Sequence, residues 1–151
     1  LLCDYWQTPV TDPRFEPVWR YANERRLPIL LHTWEGTCDS PALLSDIVPR
    51  YLEARFLLGH SGGGDRGRLE AERLALASPN VYLEFCGSFC AARPWEETLA
   101  AVGPDRVVFG TDGIYHDVSW ELARLLSIDV PDETKVRILG ANMRAVLARR
   151  R

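Results

Sequence analysis

Three short stretches decide the fold: Pro28-Ile29-Leu30-Leu31-His32-Thr33, Arg55-Phe56-Leu57-Leu58-Gly59-His60 and Arg106-Val107-Val108-Phe109-Gly110-Thr111-Asp112. Each carries a run of apolar residues between helix-like segments, the signature of a parallel strand buried on both faces. Each also ends on a side chain that carries chemistry: His32, His60 or Asp112. In a barrel of parallel strands, active sites gather at the C-terminal rim. Two imidazoles and a carboxylate at three such ends form a donor set for a divalent metal.

The segments around these strands read as helices. Asp12-Pro13 is an N-cap followed by proline at the first helical position, and Phe15, Val18, Trp19 and Ala22 then share one helical face that ends near Arg26. Ser40-Pro41 repeats the start signal and predicts a helix over 40–47, with Pro49 ending it. Further helices are expected over 69–77, 95–102 and 120–126, and a basic amphipathic one over 132–149; strands are expected over 81–86 and 107–111. Strands alternating with helices at intervals of about 25 residues are βα units of a barrel or of a doubly wound open sheet. Residues 1–151 read as one domain.

Residues two apart on a strand share a face. If His32 points into the interior, so does Leu30; Phe56 and Leu58 go with His60, and Val108 and Gly110 with Asp112. Tyr82 and Glu84 share one face of their strand, while Val81, Leu83 and Phe85 share the other. Polar groups are thus expected to converge on one interior, with apolar residues turned towards the helices.

Composition narrows the partners. Lys and Arg number 18 against 21 Asp and Glu, a net charge of -3, which gives no electrostatic case for nucleic acid or an anionic membrane. No run approaches the ~18 apolar residues of a membrane span, and a basic leader with a cleavage pattern is absent. The expectation is a cytoplasmic protein acting on a small-molecule substrate. Cys3, Cys38, Cys86 and Cys90 lack the density of a disulfide framework and contain no CxxC pair, so free thiols are expected, with Cys86 and Cys90 read as packing beside Phe85 and Phe89. His60-Ser61-Gly62-Gly63-Gly64-Asp65-Arg66-Gly67-Arg68 could form a phosphate nest. It matches neither the P-loop nor the GxGxxG pattern, and a tight turn at the rim is the preferred reading.

The ordered combination of Leu30-Leu31-His32-Thr33, Leu57-Leu58-Gly59-His60-Ser61-Gly62, Asp105-Arg106-Val107-Val108-Phe109-Gly110-Thr111-Asp112 and Ile138-Leu139-Gly140-Ala141-Asn142-Met143-Arg144 resembles the amidohydrolase-related metal-dependent hydrolases over essentially the whole chain. The resemblance implies a (β/α)8 TIM-type barrel with His32 on its fifth strand, His60 on its sixth and Asp112 on its eighth. Only the C-terminal half of such a barrel is then present, about four βα units plus C-terminal helices, and the histidine pair expected on the first strand is missing. The chain is therefore expected to be a fragment, inactive alone, whose open sheet edges favour self-association into homo-oligomers.

By the same resemblance, His32 and Asp112 are metal ligands, usually to zinc. His60 either ligates or stands beside the metal as a catalytic histidine, and Asp112 doubles as proton acceptor. Trp34, Tyr115 and His116 fall on rim loops where substrate contacts are expected. The implied activity is hydrolysis of a carbonyl-type substrate by metal-activated water. Members of this branch also include metal-dependent decarboxylases, so a carbon–carbon lyase is an alternative on the same scaffold. An alternative from another class is a non-catalytic half-barrel binding module, motivated by the missing first-strand histidines.

Overall fold

The apolar runs do form strands. The structure, a computed structural model, describes residues 1–148. Among them β1 (Pro28–His32), β2 (Arg55–Gly59), β3 (Val81–Glu84) and β4 (Val107–Val108) pair in parallel and in sequence order. Leu30 stands opposite Leu57 and His32 opposite Gly59, Leu57 opposite Tyr82, and Glu84 opposite Val108. Leu1 adds one rung outside β1: its amino group donates to the Leu30 carbonyl and its own carbonyl accepts from His32 N–H.

The helices are α1 (Glu16–Arg25), α2 (Asp65–Ala77), α3 (Arg93–Val102), α4 (Val118–Ser127), α5 (Asp132–Val136) and α6 (Asn142–Leu147). Phe56 and Leu58 of β2, Val81 and Leu83 of β3, and Phe85 just beyond it are buried in the core. Phe56 meets Trp19 of α1 at 5.9 Å between rings, and Phe85 stacks on Trp95 of α3 at 4.5 Å. Leu30, Leu57, Glu84 and Val108 line a cavity on the other face. Leu30 stays 57% exposed there. A parallel sheet with helices against one face and a cavity at the other is the wall of a (β/α)8 barrel, about half of its circumference.

Several boundaries differ from the sequence reading. The expected helix over 40–47 is instead two 3-10 turns, Pro41–Leu44 and Val48–Arg50. Ser40 donates to Glu70 rather than capping, and Pro49 has no N–H with which to continue a helix. β3 stops at Glu84, two residues before its expected end. β4 keeps only two residues, because Phe109 N–H turns to the Ile138 carbonyl and Gly110 passes so close to Glu84 that a Cβ there would overlap its carboxylate. The C-terminal helix is interrupted by a π-helical turn at Arg137–Ala141, and Arg149 lies outside the described residues.

α2 begins at Asp65, earlier than expected, and the glycine-rich segment before it is the rim turn rather than a phosphate nest. Glu35 already occupies the helix N-terminus, its carboxylate accepting from Gly67 N–H at 2.8 Å. Arg68 is buried, paired with Glu72 at 2.6 Å and Glu97 at 2.7 Å. Gly67 also abuts the Gly62 carbonyl so closely that a Cβ would collide with it. Gly67→Ala should therefore push the rim turn off α2 and destabilise the protein by about 1–3 kcal/mol, the usual cost of overpacking. A urea midpoint equal to that of the wild type would show that the contact carries no strain.

Candidate metal centre

His32 closes β1, and its alternation with Leu30 directs it to the cavity as expected. Its Nδ1 lies 3.0 Å from Asp39 Oδ2, which leaves Nε2 as the nitrogen available to a ligand. Asp39 is itself held by Thr37 Oγ1 at 2.7 Å and by Asp4 N–H at 3.3 Å. Burial works to raise the Asp39 carboxyl, but the bonds from His32, Thr37 and Asp4 and the charge on His32 outweigh it and keep the carboxyl below its ordinary value. A carboxylate behind a histidine is the usual means of orienting a metal-binding imidazole. Sequence reasoning missed Asp39, since nothing in Cys38-Asp39-Ser40 marks it beyond good turn chemistry.

His60 reaches the cavity by a different route from the one expected. Strand alternation groups it with Phe56 and Leu58, yet those two pack in the core while Leu57 and Gly59 line the cavity. His60 leaves the strand at φ 64°, followed by Ser61 at 46°, and this left-handed turn swings the imidazole round to the cavity side. Its Nδ1 donates to the Cys86 carbonyl at 2.8 Å, which fixes the tautomer and frees the lone pair on Nε2. Burial pushes the imidazole below its ordinary pKa, aided by His32 and His116 and opposed by the Cys86 carbonyl and Asp112, so His60 is a neutral base. The His32 and His60 rings sit edge to face at 4.8 Å between centroids.

Asp112 stands four residues beyond β4, at φ 49°. One ligand atom each from His60, Cys86 and Asp112 falls within 4.8 Å of the other two. Cys86, read from sequence as packing, therefore belongs to the cavity wall, whereas Cys90 is exposed; all four cysteines are free, as expected. Glu84 also reaches the cavity floor, accepting from Cys86 N–H at 2.7 Å and from its thiol at 2.6 Å. Burial, with the charges of Glu121 and Asp112, raises its carboxyl to about 7 against the two bonds from Cys86. The Cys86 thiol is raised as well, chiefly by burial and then by Glu84.

Of the three rim residues, Trp34 stacks on His32 at 6.3 Å and meets His60 at 5.7 Å between ring centroids. Tyr115 is 82% exposed at the cavity mouth. His116, exposed, lies 3.9 Å from both Asp112 and Glu121. Glu121 is buried, ion-paired to Arg124 at 2.7 Å and bonded to Gly87 N–H at 3.2 Å, and so holds the loop that follows β3. The cavity measures about 810 Å³, within the range of small-molecule sites. Its lining is mostly apolar.

Strands in parallel with functional groups at their C-terminal rim define a chain of the TIM-barrel class. The chain belongs to the amidohydrolase family, a family of enzymes: the model of that family matches residues 1–149. Among solved structures it is similar to a TIM-barrel protein from Bordetella bronchiseptica, with TM-score 0.80, 18% identity, and coverage of 94% of this chain and 53% of that one. It is also similar to a 5-carboxyvanillate decarboxylase from Novosphingobium aromaticivorans complexed with manganese, with TM-score 0.71, 15% identity, and coverage of 94% and 53%. An amidohydrolase from Burkholderia multivorans with bound zinc gives TM-score 0.60, 17% identity, and coverage of 79% and 52%. The chain thus spans about half the length of these structures. No curated protein matches it. No helix of the described residues is long and apolar enough to cross a membrane.

The buried Glu84 gives the site a measurable pH signature. Its folded-state pKa of about 7 lies above the ordinary 4.5, so the unfolded chain loses its proton first as pH rises. Stability from this group is therefore full below about pH 4.5 and is lost as pH climbs through about 7. Glu84→Gln keeps the acceptor for Cys86 N–H without the charge. In chelator-treated protein, the wild type should lose about 3 kcal/mol relative to Glu84→Gln between those limits. Parallel urea curves at every pH would place the Glu84 carboxyl in water.

Proposed function

We propose that the protein acts as a metal-dependent hydrolase on small molecules bearing a carbonyl-type group, with His32 and Asp112 holding the metal. The observation that carries this reading is that His32, His60 and Asp112 line a single cavity, with donor atoms of His60 and Asp112 within 4.8 Å of each other. The donors fit such an ion: His32 has one nitrogen anchored on Asp39 and the other available, and Asp112 adds a carboxylate close to His60 and Cys86. When bound, a divalent ion supplies Lewis-acid polarisation and a more acidic water.

The chain's own residues provide the rest. His60, neutral and with Nδ1 bonded to the Cys86 carbonyl, accepts or returns a proton through Nε2. Asp112 supplies a second acceptor beside it, with His116 Nε2 3.9 Å from that carboxylate. Trp34 covers the two imidazoles and limits their access to water. The apolar walls at Leu30, Leu57 and Val108 suit a flat or hydrophobic substrate body, with Tyr115 contacting it at the mouth.

One observation favours a decarboxylase instead. Glu84 at the cavity floor, with its carboxyl near neutrality, can hold a proton for delivery to carbon, which decarboxylation requires and hydrolysis does not. Assaying the purified protein on esters and lactones of aromatic acids, alongside carbon dioxide release from the free acids, separates the two. Turnover of neither, with metal bound, would make the chain a binding module.

For whichever reaction is found, His32→Ala and Asp112→Ala should lose the metal in elemental analysis. His60→Asn should lower kcat by about 10²- to 10⁴-fold, the range for one proton-transfer or oxyanion group. Full metal retained in both former variants removes His32 and Asp112 from the centre; unchanged kcat in the latter returns His60 to a structural role.

A further inference from the structure

We propose that Glu35 is a positioning residue for His60: its carboxylate, reaching across from the segment after β1, serves as the N-cap that α2 lacks and ties together the two arms of the rim that carry His32 and His60. The proposal rests on the reading of His60 as the proton-transfer group of this cavity and adds to it the residue that keeps the imidazole in place.

α2 has no cap of its own. Its N-cap position is Gly64, in extended backbone at φ -111° and ψ 178°, which offers no side chain to the free N–H groups of the first turn. Glu35, 32 residues before Gly67 in the chain, accepts from the N–H of that third helical residue at 2.8 Å, the bond an N-cap side chain makes. A Cβ at Gly64 would overlap the Glu35 carboxyl group, so Glu35 fills the space where a local cap would stand. An Asp at position 64 would satisfy the helix equally well. What a cap drawn from Glu35 adds is a link between segments far apart in sequence.

That link bears on His60. Four consecutive residues, His60 to Gly63, have positive φ, and only the last two are glycine. Such backbone persists only where its surroundings over-determine it. Thr33 holds the first half of the turn, bonding the Gly59 carbonyl and Gly62 N–H. Glu35 holds the second half: its N–H donates to the Gly62 carbonyl at 2.8 Å and its carboxylate takes Gly67, so one residue brackets the stretch from Gly62 to Gly67. The same segment lays the Trp34 indole against Gly63, with its other neighbours being the His32 and His60 rings. Without the carboxylate, the far half of the turn is free to relax, and the His60 Nδ1–H loses its alignment on the Cys86 carbonyl.

Proton–nitrogen NMR of the imidazole groups, read with and without chelator, tests this with no reference to turnover, since the chain has three histidines. In the wild type the His60 Nδ1–H, bonded to the Cys86 carbonyl, should give a slowly exchanging signal that His60→Asn removes. Glu35→Gln keeps an acceptor and should keep the signal. Glu35→Ala should lose the signal and lower the urea midpoint. Glu35→Ala/Gly64→Asp returns the cap and its charge to the helix itself, in the space vacated, and should regain the midpoint but not the signal. A wild-type His60 signal in that double variant reduces Glu35 to a helix cap and overturns the proposal, as does absence of the signal from the wild type. Should the alanine variants fail to fold, Glu35→Asp, one methylene short of Gly67, replaces them with the same two outcomes. On the reaction found for the protein, the double variant should lower kcat by about 10- to 10²-fold with KM changed by less than about twofold, as a displaced catalytic group would; unchanged kcat removes the positioning role. A wild type that binds no metal and turns nothing over overturns the metal-dependent reading, while the NMR result on Glu35 stands.

Discussion

The hydroxyl of Thr33, buried immediately after β1, is the constraint on which the site depends. Its oxygen donates to the Gly59 carbonyl at 2.6 Å and accepts from Gly62 N–H at 3.0 Å, while Thr33 N–H adds a third bond to Gly59 at 3.1 Å. Ser61 completes the clamp by donating to the Glu84 carbonyl on the far side at 3.0 Å. β1, the turn after β2 and β3 are thereby locked at the level where the strands end. Non-glycine residues at positive φ cost about 1–3 kcal/mol each, and the two consecutive ones at His60 and Ser61 persist because these buried bonds over-determine the turn.

The same logic runs through the rest of the centre. Each functional side chain is anchored at one end and presents the other to the cavity. Asp39 holds His32, the Cys86 carbonyl holds His60, Glu84 holds the Cys86 thiol, and Glu121 with Arg124 holds the loop that carries Gly87. Such supporting contacts keep a polar cluster in place without solvent, which in a low-dielectric cavity strengthens its electrostatics. Burial sets the proton states in opposite senses, leaving the His60 imidazole neutral while pushing the Glu84 carboxyl up to about 7. A neutral imidazole and a carboxyl near neutrality thus sit in one wall.

Much of this was legible in the chain itself. Continuous apolar runs ending on His32, His60 and Asp112 determined the parallel strands and the rim, because a strand buried on both faces must be apolar along its length. Alternation also placed Val81, Leu83 and Phe85 against the helices, where Phe85 meets Trp95. What only the tertiary structure decided were the positions where local pattern yields to long-range contact. His60 breaks the alternation through a left-handed turn held by Thr33, a residue just beyond the end of another strand. β4 ends early because Glu84 of β3 fills the space beside Gly110. Asp39, Glu84, Cys86 and Glu121 join the centre from segments whose sequence says nothing of one another, since what unites them is burial around a shared cavity, a property of packing rather than of spacing along the chain.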